Sequence, residues 1–239
     1  MSTAVITGSA RGIGAAIAAL FADSGYNVVI NYKTSEKEAL ELQEKLGDRA
    51  IAVRADVSVP EEAAHLFETA KEKFGDVDVL VNNAGVAQQK LFTDITQADY
   101  DRMFDCNVRS VFNCCQCVLP DMIHNKYGRI INISSMWGIT GASCEVHYSA
   151  SKAAVIGLTK ALAREAAPSG ITVNCIAPGV IDTPMNKGFD EETMKSLCDE
   201  TPVGRIGTPE DVARAVLFFA DEKSDFITGQ VLSVDGLFI

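Results

Sequence analysis

The chain has 239 residues, 47% of them hydrophobic and 22% charged, with a formal net charge of −11. That size and balance fit one globular α/β domain over residues 1–239, and the acidity argues against a nucleic-acid partner, which needs a basic face for phosphates. No run approaches the ~18 to 20 uninterrupted apolar residues of a membrane span, so the expectation is a cytoplasmic protein without a membrane partner.

Short β-branched runs alternate with longer helical patterns along the whole chain. The run AVIT from Ala4 to Thr7 reads as a first strand and RGIGAAIAALFADSG as the helix after it. NVVINY is a second strand, followed by a helix from Ser35 to about Gly47; AIAVRADV is a third, followed by a helix from Pro60 to Phe74. VDVLVNNAG supplies a fourth strand and its turn, and Gln97 to about Lys126 one long or broken helical stretch. GRIINISS is a fifth strand, and the helix YSASKAAVIGLTKALAREAAPSG stops at Pro168 and Gly170. ITVNCIAPG, PEDVARAVLFFADE and GQVLSVDG then read as strand, helix and strand. Near-continuous apolar strands with helices between them imply a sheet covered on both faces, a doubly wound α/β fold. The seven cysteines hold one CxxC pair, Cys114 and Cys117, with no second pair to complete a metal site, so no metal is expected and the thiols read as reduced.

The first strand passes into its helix through Thr7-Gly8-Ser9-Ala10-Arg11-Gly12-Ile13-Gly14. Glycines there let the backbone turn tightly and approach a pyrophosphate, while the helix N-terminus offers free N–H groups, so a dinucleotide site is expected. A site for NAD usually carries an Asp or Glu about 20 residues further on. This chain has Asn31 instead, then Tyr32 and Lys33. With no carboxylate to repel a 2′-phosphate and with Arg11 and Lys33 to pair with one, NADPH is expected over NAD. Asp56, with Val57 after it, follows the third strand and is placed to meet the adenine edge.

Tyr148 and Lys152 lie four residues apart in YSASK, with Ser135 upstream. On a helix, positions i and i+4 share a face, so the ammonium can stand near the phenol and favour its ionisation, which suits proton delivery to a carbonyl.

Together TGSARGIG, Asn82-Asn83-Ala84-Gly85, Asn107, Ser135, YSASK and Pro178-Gly179 stand in the order and spacing of the single-domain short-chain dehydrogenase/reductases, and the chain resembles that family from end to end. The resemblance implies a seven-stranded parallel Rossmann sheet and a homotetramer built partly on the two helices flanking the site. It casts Tyr148 as general acid, Lys152 as its modulator and a ribose ligand, Ser135 as a donor to the substrate oxygen, and Asn107 as the holder of the helix and of a water leading to Lys152. Asn83, Ala84 and Gly85 would line the adenosine ribose, and Ile181 and Thr183, beyond Pro178 and Gly179, would meet the nicotinamide amide and phosphates.

Many stretches, including GRIINISS and TPVGRIGTPEDVA, are similar to bacterial 3-oxoacyl-acyl-carrier-protein reductases, which implies a carrier-bound or small-molecule carbonyl substrate. Arg129 matches a basic position those enzymes use for the acidic carrier, whereas the second such position is Ser169 here. Where those enzymes usually have glutamine, three residues before the tyrosine, this chain has Glu145. The block MWGITGASCEVHYSASK, with Trp137 and Glu145, is similar to reductases acting on a 5-aminopentanone group on elongation factor P. A carboxylate there suits a substrate bearing an ammonium group. The segment 183–205 carries few apolar residues, Met185, Phe189, Met194, Leu197, Cys198 and Val203 among them, and is expected to close over the substrate.

Overall fold

The structure, a computed structural model, describes residues 2–184 and 190–239. Seven strands form one sheet: β1 (Thr3–Ile6), β2 (Asn27–Tyr32), β3 (Ala50–Arg54), β4 (Val79–Asn82), β5 (Gly128–Ile133), β6 (Ile171–Pro178) and β7 (Val231–Val234). All neighbours are parallel, in the order β3-β2-β1-β4-β5-β6-β7. The sheet is the Rossmann sheet that the family resemblance implies. β1 starts and ends one residue earlier than expected, because Thr7 already turns away to bond Asn83 and Ala84, and β3, β5 and β7 are two or more residues shorter than the apolar runs that announced them.

Side chains alternate across each strand and separate two cores. Ala4 and Ile6 of β1, Val79 and Val81 of β4 and Ile131 of β5 pack under α1 (Gly12–Asp23), α2 (Glu36–Leu46) and α9 (Pro209–Ala220). Val5, Leu80 and Ile130 face the opposite way, under α3 (Pro60–Phe74), α5 (Ser110–Asn125) and α7 (Val146–Ala166). Ile6, Leu80 and Ile130 are wholly buried, and each such side chain contributes roughly 1.5–3 kcal/mol. Burial on both faces explains why these strands read as unbroken apolar runs.

The long helical stretch is broken. Helix α4 (Gln97–Phe104) begins at Thr96, whose hydroxyl accepts from the Asp99 N–H at 3.2 Å while the Asp99 carboxylate accepts from the Thr96 N–H at 2.9 Å. It runs into a π-helical turn, Asp105–Arg109, before α5 starts. Helix α7 ends as the sequence predicts: Pro168 sits in a short 3-10 turn, and Gly170 follows with φ 76. A Cβ at Gly170 would come within 2.5 Å of the Lys126 carbonyl. Two helices are additions to the sequence reading, α6 (Trp137–Thr140) and α8 (Glu191–Glu200). Helix α8 occupies the segment expected to cover the substrate; Met185 and Phe189 lie outside the described residues. Among the described residues no helix is long and apolar enough to cross a membrane.

Successive crossovers run one way from β1 to β3 and the other way from β4 to β7, so the sheet's switch point lies between β1 and β4. Crevices for ligands open at the carboxyl ends of strands at such a point. The glycine loop after β1 and Asn83-Ala84-Gly85 after β4 meet there.

Candidate active site

The loop after β1 is held by its neighbours' amides. Gly8 and Gly12 adopt left-handed φ values of 61 and 57, which side chains rarely tolerate. The Asn31 Oδ1 accepts from the Gly8 N–H at 3.1 Å, and its Nδ2 donates to the Ala55 carbonyl at 3.0 Å. The Asn83 Nδ2 donates to the carbonyls of Thr7 and Gly8 at 2.9 and 3.0 Å. A Cβ at Gly14 would lie 2.6 Å from both the Asn83 amide nitrogen and the Gly8 carbonyl. No side chain caps α1, so its first N–H groups face the space beyond the loop.

That space is a cavity of about 460 Å³ lined by Gly8, Arg11, Gly12, Ile13, Gly14, Asn31, Tyr32, Lys33, Asp56, Val57, Asn83, Ala84, Gly85 and Thr183. A glycine cradle with bare helix N–H groups fits a pyrophosphate. Ser9 departs from expectation: it is fully buried, its hydroxyl donates to the Ile6 carbonyl at 2.6 Å, and it shapes the loop without facing the cavity. Lys33 also differs from a free cation, because its ammonium lies 2.5 Å from the Asp56 carboxylate. Arg102, Cys106 and Ser110 line the same cavity without having been foreseen. They come from α4, the π turn and α5, whose approach to this cavity no local pattern announces.

A second cavity of about 710 Å³ shares Ile13, Asn83, Gly85 and Thr183 with the first. Ser135, Trp137, Glu145, Tyr148, Lys152, Pro178, Gly179 and Ile181 line it, with Thr193 and Leu197 of α8 on the side where a cover was expected.

Asn107 is the centre of the π turn. Its Oδ1 accepts from the Val86 N–H at 2.8 Å, and its Nδ2 donates to the Val86 carbonyl and the Ser151 hydroxyl, each at 2.9 Å. The Ser151 hydroxyl in turn donates to the Tyr148 carbonyl at 2.7 Å. One side chain therefore ties the strand-end loop to the helix of Tyr148 and Lys152, and the extra residue of a π turn is what aims it inward. Gly85 leaves the room: a Cβ there would stand 3.1 Å from the Asn107 Oδ1 and 3.3 Å from the Lys152 Nζ.

Burial pushes the Tyr148 phenol up to about 12, against a hydrogen bond with Ser135 that pulls it down, while the Glu145 charge adds to the rise. Burial likewise pushes the Lys152 ammonium down to about 8. The Lys152 Nζ donates to the Ile133 carbonyl at 2.9 Å and lies 5.9 Å from the Tyr148 ring centroid. The contact that eases ionisation of Tyr148 is thus Ser135, where the sequence pointed to Lys152. Desolvation penalises charge on both side chains. Tyr148 is a neutral O–H donor.

Glu145 is half-buried, and burial raises its pKa against a hydrogen bond from Gln89 Nε2 at 3.2 Å and the neighbouring His147. It follows Cys144, whose φ of 60 is left-handed and whose carbonyl accepts from the Lys90 N–H at 2.7 Å. His147 is buried and pairs through Nε2 with the Gln88 Oε1 at 3.0 Å; Gln88 Nε2 donates to Asp99 at 2.9 Å. Gln88 thus presents an oxygen to the ring, so Nε2 carries the hydrogen. Trp137 stands edge-on to Phe238 at 6.0 Å between centroids.

Arg129 corrects the sequence reading. It is 2% exposed, its Nη1 donates to the Gly128 carbonyl at 3.0 Å, and its guanidinium lies 4.5 Å over the Tyr127 ring. Asp78 and Glu222 stand close enough to act on the neighbouring Tyr127. A guanidinium enclosed there, at the start of β5 and among carboxylates, does not present a basic surface.

Fold and cavities define a Rossmann protein with a dinucleotide cradle opening onto a Ser-Tyr-Lys pocket. A family model described as enoyl-(acyl carrier protein) reductase matches residues 8–236. The chain belongs to the short-chain dehydrogenase/reductase family. It is 41% identical over 236 residues to a 3-oxoacyl-[acyl-carrier-protein] reductase of Chlamydia muridarum, covering 98% of this chain and 95% of the relative. A reductase of the same name from Staphylococcus epidermidis is 39% identical over 237 residues, covering 98% and 97%. The counterpart in Chlamydia trachomatis is 40% identical over 237 residues, covering 98% and 96%.

Proposed function

We propose that the protein is an NADPH-dependent carbonyl reductase, most like a 3-oxoacyl-[acyl-carrier-protein] reductase, working in the cytoplasm as a homotetramer. One observation carries the reading: neutral Tyr148, bonded to Ser135, lines a cavity that joins the glycine cradle through Ile13, Asn83, Gly85 and Thr183. The cradle would hold the pyrophosphate, and Lys152, Pro178, Gly179, Ile181 and Thr183 line the stretch where the nicotinamide half would lie. When bound, the nicotinamide supplies the hydride. Ser135 donates a hydrogen bond to the substrate's carbonyl oxygen and orients it, and Tyr148 gives that oxygen its proton as the carbonyl carbon is reduced. Phe112 and Ile123, about half exposed on α5, offer the apolar face an assembly of subunits would cover.

A second reading, reduction of a 5-aminopentanone group on modified elongation factor P, is favoured by Glu145. Its carboxylate lines the substrate cavity half-buried, where attraction to an ammonium group is strong, and a neutral acyl chain has no use for it. The enclosure of Arg129 and the serine at 169 also leave an acidic carrier without its two basic contacts.

Tyr148→Phe is expected to cut turnover by about 10³-fold or more while NADPH still binds; undiminished turnover refutes the mechanism. Rates on an acetoacetyl thioester and on an aminopentanoylated lysine peptide, before and after Glu145→Gln, decide the substrate. Selective loss on the peptide supports the second reading, and equal effects on both substrates refute it.

A further inference from the structure

The Lys33–Asp56 pair leaves the adenosine end of the cradle short of the cation assigned to it. Asp56 also accepts from the Ser58 N–H at 3.1 Å and hydroxyl at 2.6 Å, so its carboxylate is fixed where it holds Lys33. Glu62, which accepts from the Asp56 N–H at 2.6 Å, adds a second negative charge near Lys33. Lys33 and its surroundings therefore bring no net positive charge to a phosphate.

Arg102 differs. It lines the same cavity as Arg11, Lys33, Thr34 and Ser35. The acidic side chains one helical turn to either side of it are engaged elsewhere. Asp99 accepts from Thr96 and pairs with Lys90 at 2.7 Å, and Asp105 pairs with Arg109 at 3.0 Å. Among the described residues the guanidiniums of Arg102 and Arg11 have no hydrogen-bond or ion-pair partner. Two free forks and two neutral hydroxyl side chains lining one nucleotide-sized cavity match a phosphomonoester dianion, which guanidinium binds in a bidentate manner.

We propose that Arg102, on α4, is a binding residue for the phosphomonoester on the adenosine ribose of NADPH, acting with Arg11, while Asp56 withholds Lys33 from that role. The proposal rests on the NADPH reading above. Arg102 thereby ties cofactor choice to α4, the helix whose Asp99 also reaches His147 through Gln88.

The test is titration calorimetry of the cofactor-free protein with 2′,5′-ADP and with 5′-ADP, whose ratio of affinities isolates the extra phosphate. Arg102→Gln is expected to reduce that ratio about tenfold, since a charge-assisted bond is lost, and Arg102→Lys to fall between. Lys33→Gln is expected to reduce it less than Arg102→Gln does, and Asp56→Asn to raise it by releasing Lys33. A ratio unchanged by Arg102→Gln but abolished by Arg11→Gln overturns the role of Arg102 and leaves the NADPH reading standing. A wild-type protein that binds the two nucleotides equally overturns the NADPH reading itself. Arg102 is solvent-exposed, so an unchanged circular dichroism spectrum is expected of its variants.

Discussion

Lys152→Met should make the cofactor-free protein more stable at neutral pH. Lys152 is 5% exposed, and burial brings its pKa from 10.5 to about 8. The difference corresponds to about 3 kcal/mol charged against keeping the ammonium inside at pH values below the folded pKa. The sign follows from the depressed folded value. The lysine's favourable contribution is complete above the unfolded pKa of 10.5, declines as pH falls, and is gone below about 8. Methionine has similar reach and no charge, but loses the bond to the Ile133 carbonyl, about 1 kcal/mol. The variant should therefore gain roughly 2 kcal/mol at neutral pH, lose that advantage progressively as pH approaches 10.5, and end slightly less stable than the parent. Urea unfolding of both proteins at one protein concentration, across this pH range, reads the difference directly, and groups common to both cancel. A difference that does not change with pH would refute the argument that burial of this amine sets its pKa.

Asn107→Ala should lower stability by about 2 kcal/mol, because it removes the partners of the Val86 N–H and C=O and leaves the Ser151 hydroxyl with only its bond to the Tyr148 carbonyl. Thermal unfolding checks this, and a variant as stable as the parent would show that the π turn does not depend on the amide. Cys144→Gly is expected to stabilise by about 0.5–1 kcal/mol, since a left-handed φ of 60 strains a side chain more than it costs glycine in chain entropy. Chemical denaturation measures it, and a destabilised variant would mean that the thiol's packing outweighs the strain.

What the sequence determined by itself is whatever adjacent residues decide. The inner strands were legible because both faces of the sheet are buried there, and helices such as α1, α3 and α9 because one face of each is, whereas α6, which buries no side chain, was not. The glycines before α1 were legible because a tight turn excludes side chains, and Tyr148 and Lys152 because one helical turn puts them on one face. The tertiary structure alone decided how those groups are charged and held. Asn31 braces Gly8, 23 residues away, and Asn107 braces Val86, 21 residues away. Lys33 is taken by Asp56 from the loop after a neighbouring strand, and Arg129, a plausible surface cation in the sequence, is enclosed. Burial reverses the expected shift of Tyr148 and places Glu145 against the substrate cavity. Desolvation and ion pairing depend on which surfaces meet, and segments distant in sequence meet only in the folded chain.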